Sequence, residues 1–110
     1  MKVAVIGSRG LWVDIGKYLP DGVTKIISGG ARGIDSAAEE YADKNGIAKE
    51  IFLPNYAKYA KRAPLIRNQE IVLNSDIVIA IWDGSSRGTK YTIDFAKRIG
   101  KPVKVFIIDS

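Results

Sequence analysis

Cysteine and histidine are both absent from this chain of 110 residues. Their absence excludes disulfides, thiolate or imidazole zinc sites, cysteine nucleophiles and every Ser-His-Asp arrangement, so no metal site is expected. Chemistry, if any, runs on carboxylates, Tyr, Ser/Thr, Lys or Arg. No apolar stretch approaches the roughly 20 residues that cross a bilayer, and no membrane partner is expected. The opening Met1-Lys2-Val3-Ala4-Val5-Ile6-Gly7 passes straight from a short apolar run into a glycine turn. Without a long apolar segment or a cleavage site it reads as a buried first strand, and a soluble, cytoplasmic protein is the expectation. No linker, low-complexity tract or long-period repeat divides the chain, which fits a single domain over residues 1–110.

What the chain has is positive charge and glycine. Lys and Arg number 17 against 12 Asp and Glu, a formal net charge of +5 that favours anionic partners: nucleotides, nucleic acid or acidic metabolites. Three times an apolar run ends in a Gly/Ser turn that carries an Arg-Gly pair. These are Gly7-Ser8-Arg9-Gly10, Ser28-Gly29-Gly30-Ala31-Arg32-Gly33 and Gly84-Ser85-Ser86-Arg87-Gly88. Glycines let backbone N–H groups approach a ligand, a following helix adds its positive end, and each arginine adds a donor fork suited to phosphate.

Strands and helices alternate along the chain. Residues 3–6 form a continuous apolar run, as in a strand covered on both faces. Trp12, Ile15 and Leu19 recur at helical spacing and predict a helix ended by Pro20-Asp21-Gly22. Residues 25–28 read as a second strand. Ile34, Ala37, Ala38, Tyr41 and Ala42 then make the clearest helical stripe, which stops at Asn45-Gly46. A third strand is expected over residues 49–53, a basic aromatic loop or short irregular helix over 54–62, and a helix with Pro64 in its first turn running to about Asn74. Residues 76–82 give a fourth strand, Thr92, Phe95, Ala96 and Ile99 a last helical stripe, and residues 103–108 a last strand.

The order βαβαβαβαβ predicts an α/β fold: a three-layer, Rossmann-like, doubly wound parallel sheet of about five strands. With the first strand near the middle, a switch point falls between strands one and four, and the three Gly/Arg turns gather at its crevice. Arg9, Arg32 and Arg87 are expected to reach it. The dinucleotide fingerprint is incomplete: the first turn lacks a third glycine, and Ser28 stands where a ribose-binding acid would end strand two. A hydride-transferring dehydrogenase is therefore disfavoured. A P-loop NTPase is disfavoured too, because no Gly-x-x-x-x-Gly-Lys-Ser/Thr occurs.

Ile6-Gly7-Ser8-Arg9, Ser28-Gly29-Gly30-Ala31-Arg32-Gly33-Ile34-Asp35 and Asp83-Gly84-Ser85-Ser86-Arg87-Gly88-Thr89 together resemble the SLOG superfamily. That group joins the DNA-processing Smf/DprA proteins, the LOG phosphoribohydrolases and the YspA-like proteins of unassigned function. The Arg67-Asn68 pair followed by Glu70 resembles the YspA-like branch. The resemblance covers nearly the whole chain and implies a Rossmann-like domain that binds a nucleotide or nucleotide-derived ligand, as a sensor for example, with no required cofactor. It also implies a homodimer.

The departures bear on catalysis. LOG enzymes carry Pro-Gly-Gly-x-Gly-Thr-x-x-Glu; aligned on Gly88-Thr89, this chain has Thr92 in place of the glutamate, and a threonine supplies no ionised carboxylate. Cleaving an N-glycosidic bond through an oxocarbenium-like state needs a carboxylate near the sugar, by analogy with glycoside hydrolysis. Asp83, Glu70 and Asp35 are the substitutes. Each also has a structural role open to it: Asp35 bonding first-turn amides of its helix, Glu70 pairing with Arg67, Asp83 anchoring its turn.

DprA proteins, which the chain resembles in its first two turns, bind single-stranded DNA through a basic pocket. Here Lys58, Lys61, Arg62 and Arg67 interleave with Tyr56 and Tyr59, the components of a sequence-tolerant single-strand site. Ser36-Ala37-Ala38-Glu39, however, replaces the histidine-containing run that follows the Asp. The ligand-binding residues expected are therefore Gly7, Ser8, Gly29, Gly30, Gly84, Ser85, Gly88 and Thr89 around phosphate. Arg9, Arg32, Arg67 and Arg87 balance its charge, Ser28, Asn68 and Asp83 serve sugar or base, and Asp35 stands beside them.

Overall fold

In a computed structural model that describes residues 1–108, five strands form a single sheet. They are β1 (Lys2–Gly7), β2 (Lys25–Ser28), β3 (Ala48–Ile51), β4 (Ile77–Trp82) and β5 (Val103–Ile107). The helices are α1 (Ile34–Lys44), the short α2 (Tyr56–Tyr59), α3 (Ala63–Leu73) and α4 (Arg87–Arg98). The strand order is β3-β2-β1-β4-β5, and every neighbouring pair is parallel. This is the Rossmann-like, three-layer arrangement expected, with β1 and β4 at the centre. Among the described residues, no helix is long and apolar enough to cross a membrane.

The central strands are apolar throughout because both of their faces are covered. Val3 and Val5 of β1 and Ile79 and Ile81 of β4 pack with Ile34, Ala37, Ala38 and Ala42 of α1. The alternate residues Ala4, Ile6, Val78 and Ala80 pack with Ile71 and Val72 of α3 and Ile93 and Ala96 of α4. A one-residue slip in register would exchange these two cores, so the period-two alternation fixes each strand against its neighbours.

One expected element is different. The helix predicted from Trp12, Ile15 and Leu19 is an extended crossover with a single 3-10 turn, Ile15–Lys17. Asp14 Oδ1 accepts from the Gly16 amide at 3.2 Å, and the Gly16 backbone lies against the Tyr41 ring. Local capping and this close approach override a three-residue stripe that Gly10, Gly16 and Pro20 already weaken. Leu11 and Ile15 turn into the core, whereas Trp12 stays 60% exposed. At the other end, Ile99 lies beyond α4 and is exposed, and the buried stripe of that helix runs through Thr89, Thr92, Ile93 and Ala96.

From β1 the chain crosses to β2 on one side, while β4 and β5 lie on the other. The C-terminal ends of β1 and β4 therefore open onto a crevice, the position where open α/β sheets hold ligands.

Candidate functional site: a cleft at the switch point

A cleft of about 420 Å³ occupies this crevice. Gly7, Arg9 and Gly10 line it from the first turn, Ala31 and Asp35 from the second, and Asp83, Ser86, Gly88, Thr89 and Thr92 from the third turn and α4. Pro64, Leu65, Arg67, Asn68 and Ile71 close it from α3. Its size is that of a small-molecule site, roughly 300–1,000 Å³.

The turns are tied to one another before they offer anything to a ligand. Ser8 is buried; its amide donates to the Ile81 carbonyl at 3.1 Å, and its hydroxyl accepts from the Asp83 amide at 3.0 Å. The first turn is thereby clipped to the third. Its carbonyl accepts from the Ile34 amide at 3.3 Å, which joins the first turn to the start of α1. Gly33 makes that junction sterically feasible: its φ is +72°, and a Cβ there would stand 2.4 Å from the Arg9 carbonyl oxygen. Gly7 lines the cleft with its backbone packed on Ile34.

The second turn is closed at Gly29 and exposed at Gly30 and Arg32. Arg67, 7% exposed, reaches across from α3 and donates Nη1 to the carbonyls of Gly29 and Phe52, while its Nε donates to Asn68 Oδ1 at 2.8 Å. A Cβ on Gly29 would lie 2.7 Å from Arg67 Nη1 and 3.0 Å from Asp35 Oδ2, so only glycine fits between the two side chains. Gly30, at a φ of +73°, is exposed, and a Cβ there would meet the Leu53 and Ile51 side chains. Ser28 is fully buried, and its hydroxyl has no hydrogen-bond partner in the structure.

Electrostatics follow from this packing. Burial pushes the Asp35 carboxyl above its ordinary range, against the Ala31 amide, which donates to Oδ2 at 3.2 Å, and against the positive charge of Arg67. Burial lowers the Arg67 pKa; Asp35 opposes that shift, and the nearby positive charge of Arg9 adds to it. Two cations, Arg9 and Arg67, thus share one cleft with two carboxylates, the buried Asp35 and the half-buried Asp83. Asp83 is held below the usual carboxylate range by the amides of Ser85 and Ser86, each donating to Oδ1 at 2.9 Å. These bonds give Asp83 the turn-anchoring role.

The third turn leads into α4 with Ser86 as its N-cap residue, whose hydroxyl meets Thr89 Oγ1 at 3.1 Å instead of capping an amide. The intrahelical ladder begins with Lys90, which donates to the Ser86 carbonyl, so the amides of Arg87, Gly88 and Thr89 precede it. Thr92 is buried, with its hydroxyl donating to the Gly88 carbonyl at 2.8 Å.

Of the residues singled out from sequence, the structure brings Gly7, Arg9, Asp35, Arg67, Asn68, Asp83, Gly88 and Thr89 to the cleft. Ser8, Ser28, Gly29, Gly30, Gly84 and Ser85 stand outside its lining, as do the exposed Arg32 and Arg87. Of the four arginines expected there, Arg9 and Arg67 line the cleft. Glu70 does not pair with Arg67; it lines a second pocket of about 250 Å³ with Leu53, Asn55, Lys58, Tyr59, Ala63 and Ile66, and Arg67 borders both spaces. Asp35 bonds the Ala31 amide instead of the first-turn amides of its own helix. Ser86 and Gly10 are lining residues that motif reading passed over, although both stand inside the quoted turns.

Five parallel strands, with a cleft at the switch point lined by Arg9, Arg67, Asp35 and Asp83, make a Rossmann-like α/β domain. Its architecture is similar to that of DNA processing protein A (DprA) from Streptococcus pneumoniae, with a TM-score of 0.75 and 25% sequence identity. The match covers 94% of this chain and 49% of that one, so the chain spans about half the length of the DprA polypeptide. The likeness supports the resemblance to the Smf/DprA side of the superfamily. No family model matches the chain, and no curated protein matches it by sequence.

Proposed function

We propose that this chain binds a nucleotide, or a nucleotide-derived phosphate ligand, in the switch-point cleft. The observation that carries the reading is the juxtaposition of Arg9 and Arg67, two mutually repelling guanidinium groups in one cleft. An anion between them relieves that repulsion and gains charge-assisted hydrogen bonds. The Gly88 and Thr89 amides add the positive end of α4, and Asn68 adds a polar group for sugar or base. As a YspA-like protein the chain would use its Arg67-Asn68 pair as one unit, with Asn68 Oδ1 orienting the guanidinium through Nε.

Hydrolysis of the ligand receives less support. Asp83 commits Oδ1 to its own turn, Asp35 is buried against backbone, Glu70 lies in the neighbouring pocket, and Thr92 is bonded within α4.

Single-stranded DNA is the second reading. It is favoured by the likeness to a DNA-processing protein and by exposed Lys58, Lys61 and Arg62 beside Tyr56, which is 59% exposed. Calorimetric titration with AMP and with a dT hexamer separates the two. Binding of AMP that weakens about tenfold in Arg9→Ala supports the cleft reading. Binding of the hexamer alone, fading steeply with salt, moves the strand reading to first place.

A further inference from the structure

The second pocket lies beside the cleft on the far side of Arg67, and it differs from the cleft in kind. Its walls are apolar at Leu53, Ala63 and Ile66, aromatic at Tyr59 and polar at Asn55, and carry one carboxylate, Glu70. Lys58 also lines it, yet its Nζ stands over the Tyr59 ring, 5.2 Å from the centroid. Among the described residues, no cation lies within ion-pair distance of Glu70. An acceptor-only group with no cation partner therefore faces a small space that Leu53, Tyr59 and Ile66 line together with the polar Asn55, Lys58 and Arg67. Arg67 uses Nε and Nη1 on protein acceptors, and its position between the two spaces joins an anion on one side to whatever occupies the other.

We infer that this second pocket is a nucleobase subsite that selects guanine. The inference rests on the phosphate-binding reading of the cleft. A carboxylate accepts two parallel hydrogen bonds, and guanine is the common base that presents two adjacent donors, N1–H and the N2 amino group, on one edge. Adenine presents an acceptor at N1, and hypoxanthine lacks the second donor. Tyr59 and Leu53, both in the lining, offer an aromatic and an apolar surface to the ring. At about 250 Å³ the pocket suits one base, with the sugar bridging past Arg67 to the phosphate in the cleft. A free guanine nucleotide and a guanine within a strand share this chemistry.

The test is calorimetric titration of the full chain with GMP, IMP, AMP and guanosine, and with a dT hexamer carrying one central dG against an all-dT hexamer. GMP is expected to bind about tenfold more tightly than IMP, the worth of one hydrogen bond to a carboxylate. Glu70→Gln brings the GMP-to-IMP ratio to about one, with an unchanged melting temperature showing that the variant is folded. A preference seen only between the hexamers assigns the guanine to a strand, and one seen with GMP assigns it to a free nucleotide; both support the subsite. Equal binding of GMP, IMP and AMP overturns the subsite and leaves the cleft reading standing. Absence of binding by every ligand overturns both.

Discussion

Arg67 on α3 donates its guanidinium to the carbonyl of Gly29 at the end of β2, across 38 positions of sequence. This bond closes the second glycine turn and at the same time places a cation on the boundary of two pockets. Charge alone does not reproduce it. Arg67→Lys keeps the cation but loses the planar fork that serves Gly29, Phe52 and Asn68 together. The variant is expected to lose about 1–3 kcal/mol of stability, read from urea unfolding. An unchanged midpoint would show that the fork does not hold the turn.

Gly33 is the steric hinge between the first turn and α1. Gly33→Ala sets a Cβ 2.4 Å from the Arg9 carbonyl oxygen at a φ of +72°. Strain and overpacking together are expected to cost roughly 2–6 kcal/mol. Chemical denaturation measures this, and a loss below about 1 kcal/mol would contradict the close approach.

The two carboxylates of the cleft give opposite pH dependences. Burial raises the Asp35 carboxyl above its ordinary 3.8, so its contribution to stability is fully present below 3.8 and is lost as pH rises through the folded value. Amide donors lower Asp83 from the same 3.8, so its contribution is present above 3.8 and is lost as pH falls through the folded value. Stability relative to Asp35→Asn should therefore improve on acidification, and stability relative to Asp83→Asn should decline. Unfolding curves across acid pH check both signs. The same sign for both variants would refute the assignment.

Arg9 is exposed and lines the cleft without a structural bond to lose. Arg9→Ala is expected to leave stability within about 0.5 kcal/mol and to weaken every phosphate ligand. If the ligand is a strand, the salt dependence of its affinity also flattens by about one phosphate contact. Fluorescence or calorimetric titration at several salt concentrations reads both effects. An unchanged affinity for every phosphate ligand would remove Arg9 from the site.

The strands were legible because β1 and β4 are buried on both faces and so appear as unbroken apolar runs, and α1 was legible from its stripe and its Asn45-Gly46 stop. The first crossover was not. Trp12, Ile15 and Leu19 imitate a helical stripe, while the approach of Gly16 to Tyr41 depends on a partner 25 residues on. The site divides in the same way. Motif reading found the three turns, but not that Ser8 ties the first turn to the third or that Gly29 seats Arg67. The boundary role of Arg67 and the separation of Glu70 from the cleft arise from the packing of α3 against β2 and the loop after β3, which no local pattern encodes.

The most direct measurement is a 15N-resolved NMR titration of the chain with a guanine mononucleotide. The account predicts saturable shifts at the amides of Gly10, Asn68, Gly88 and Thr89, the backbone around the cleft. Shifts confined to the basic segment around Lys58, Lys61 and Arg62, or none at saturating nucleotide, would contradict it.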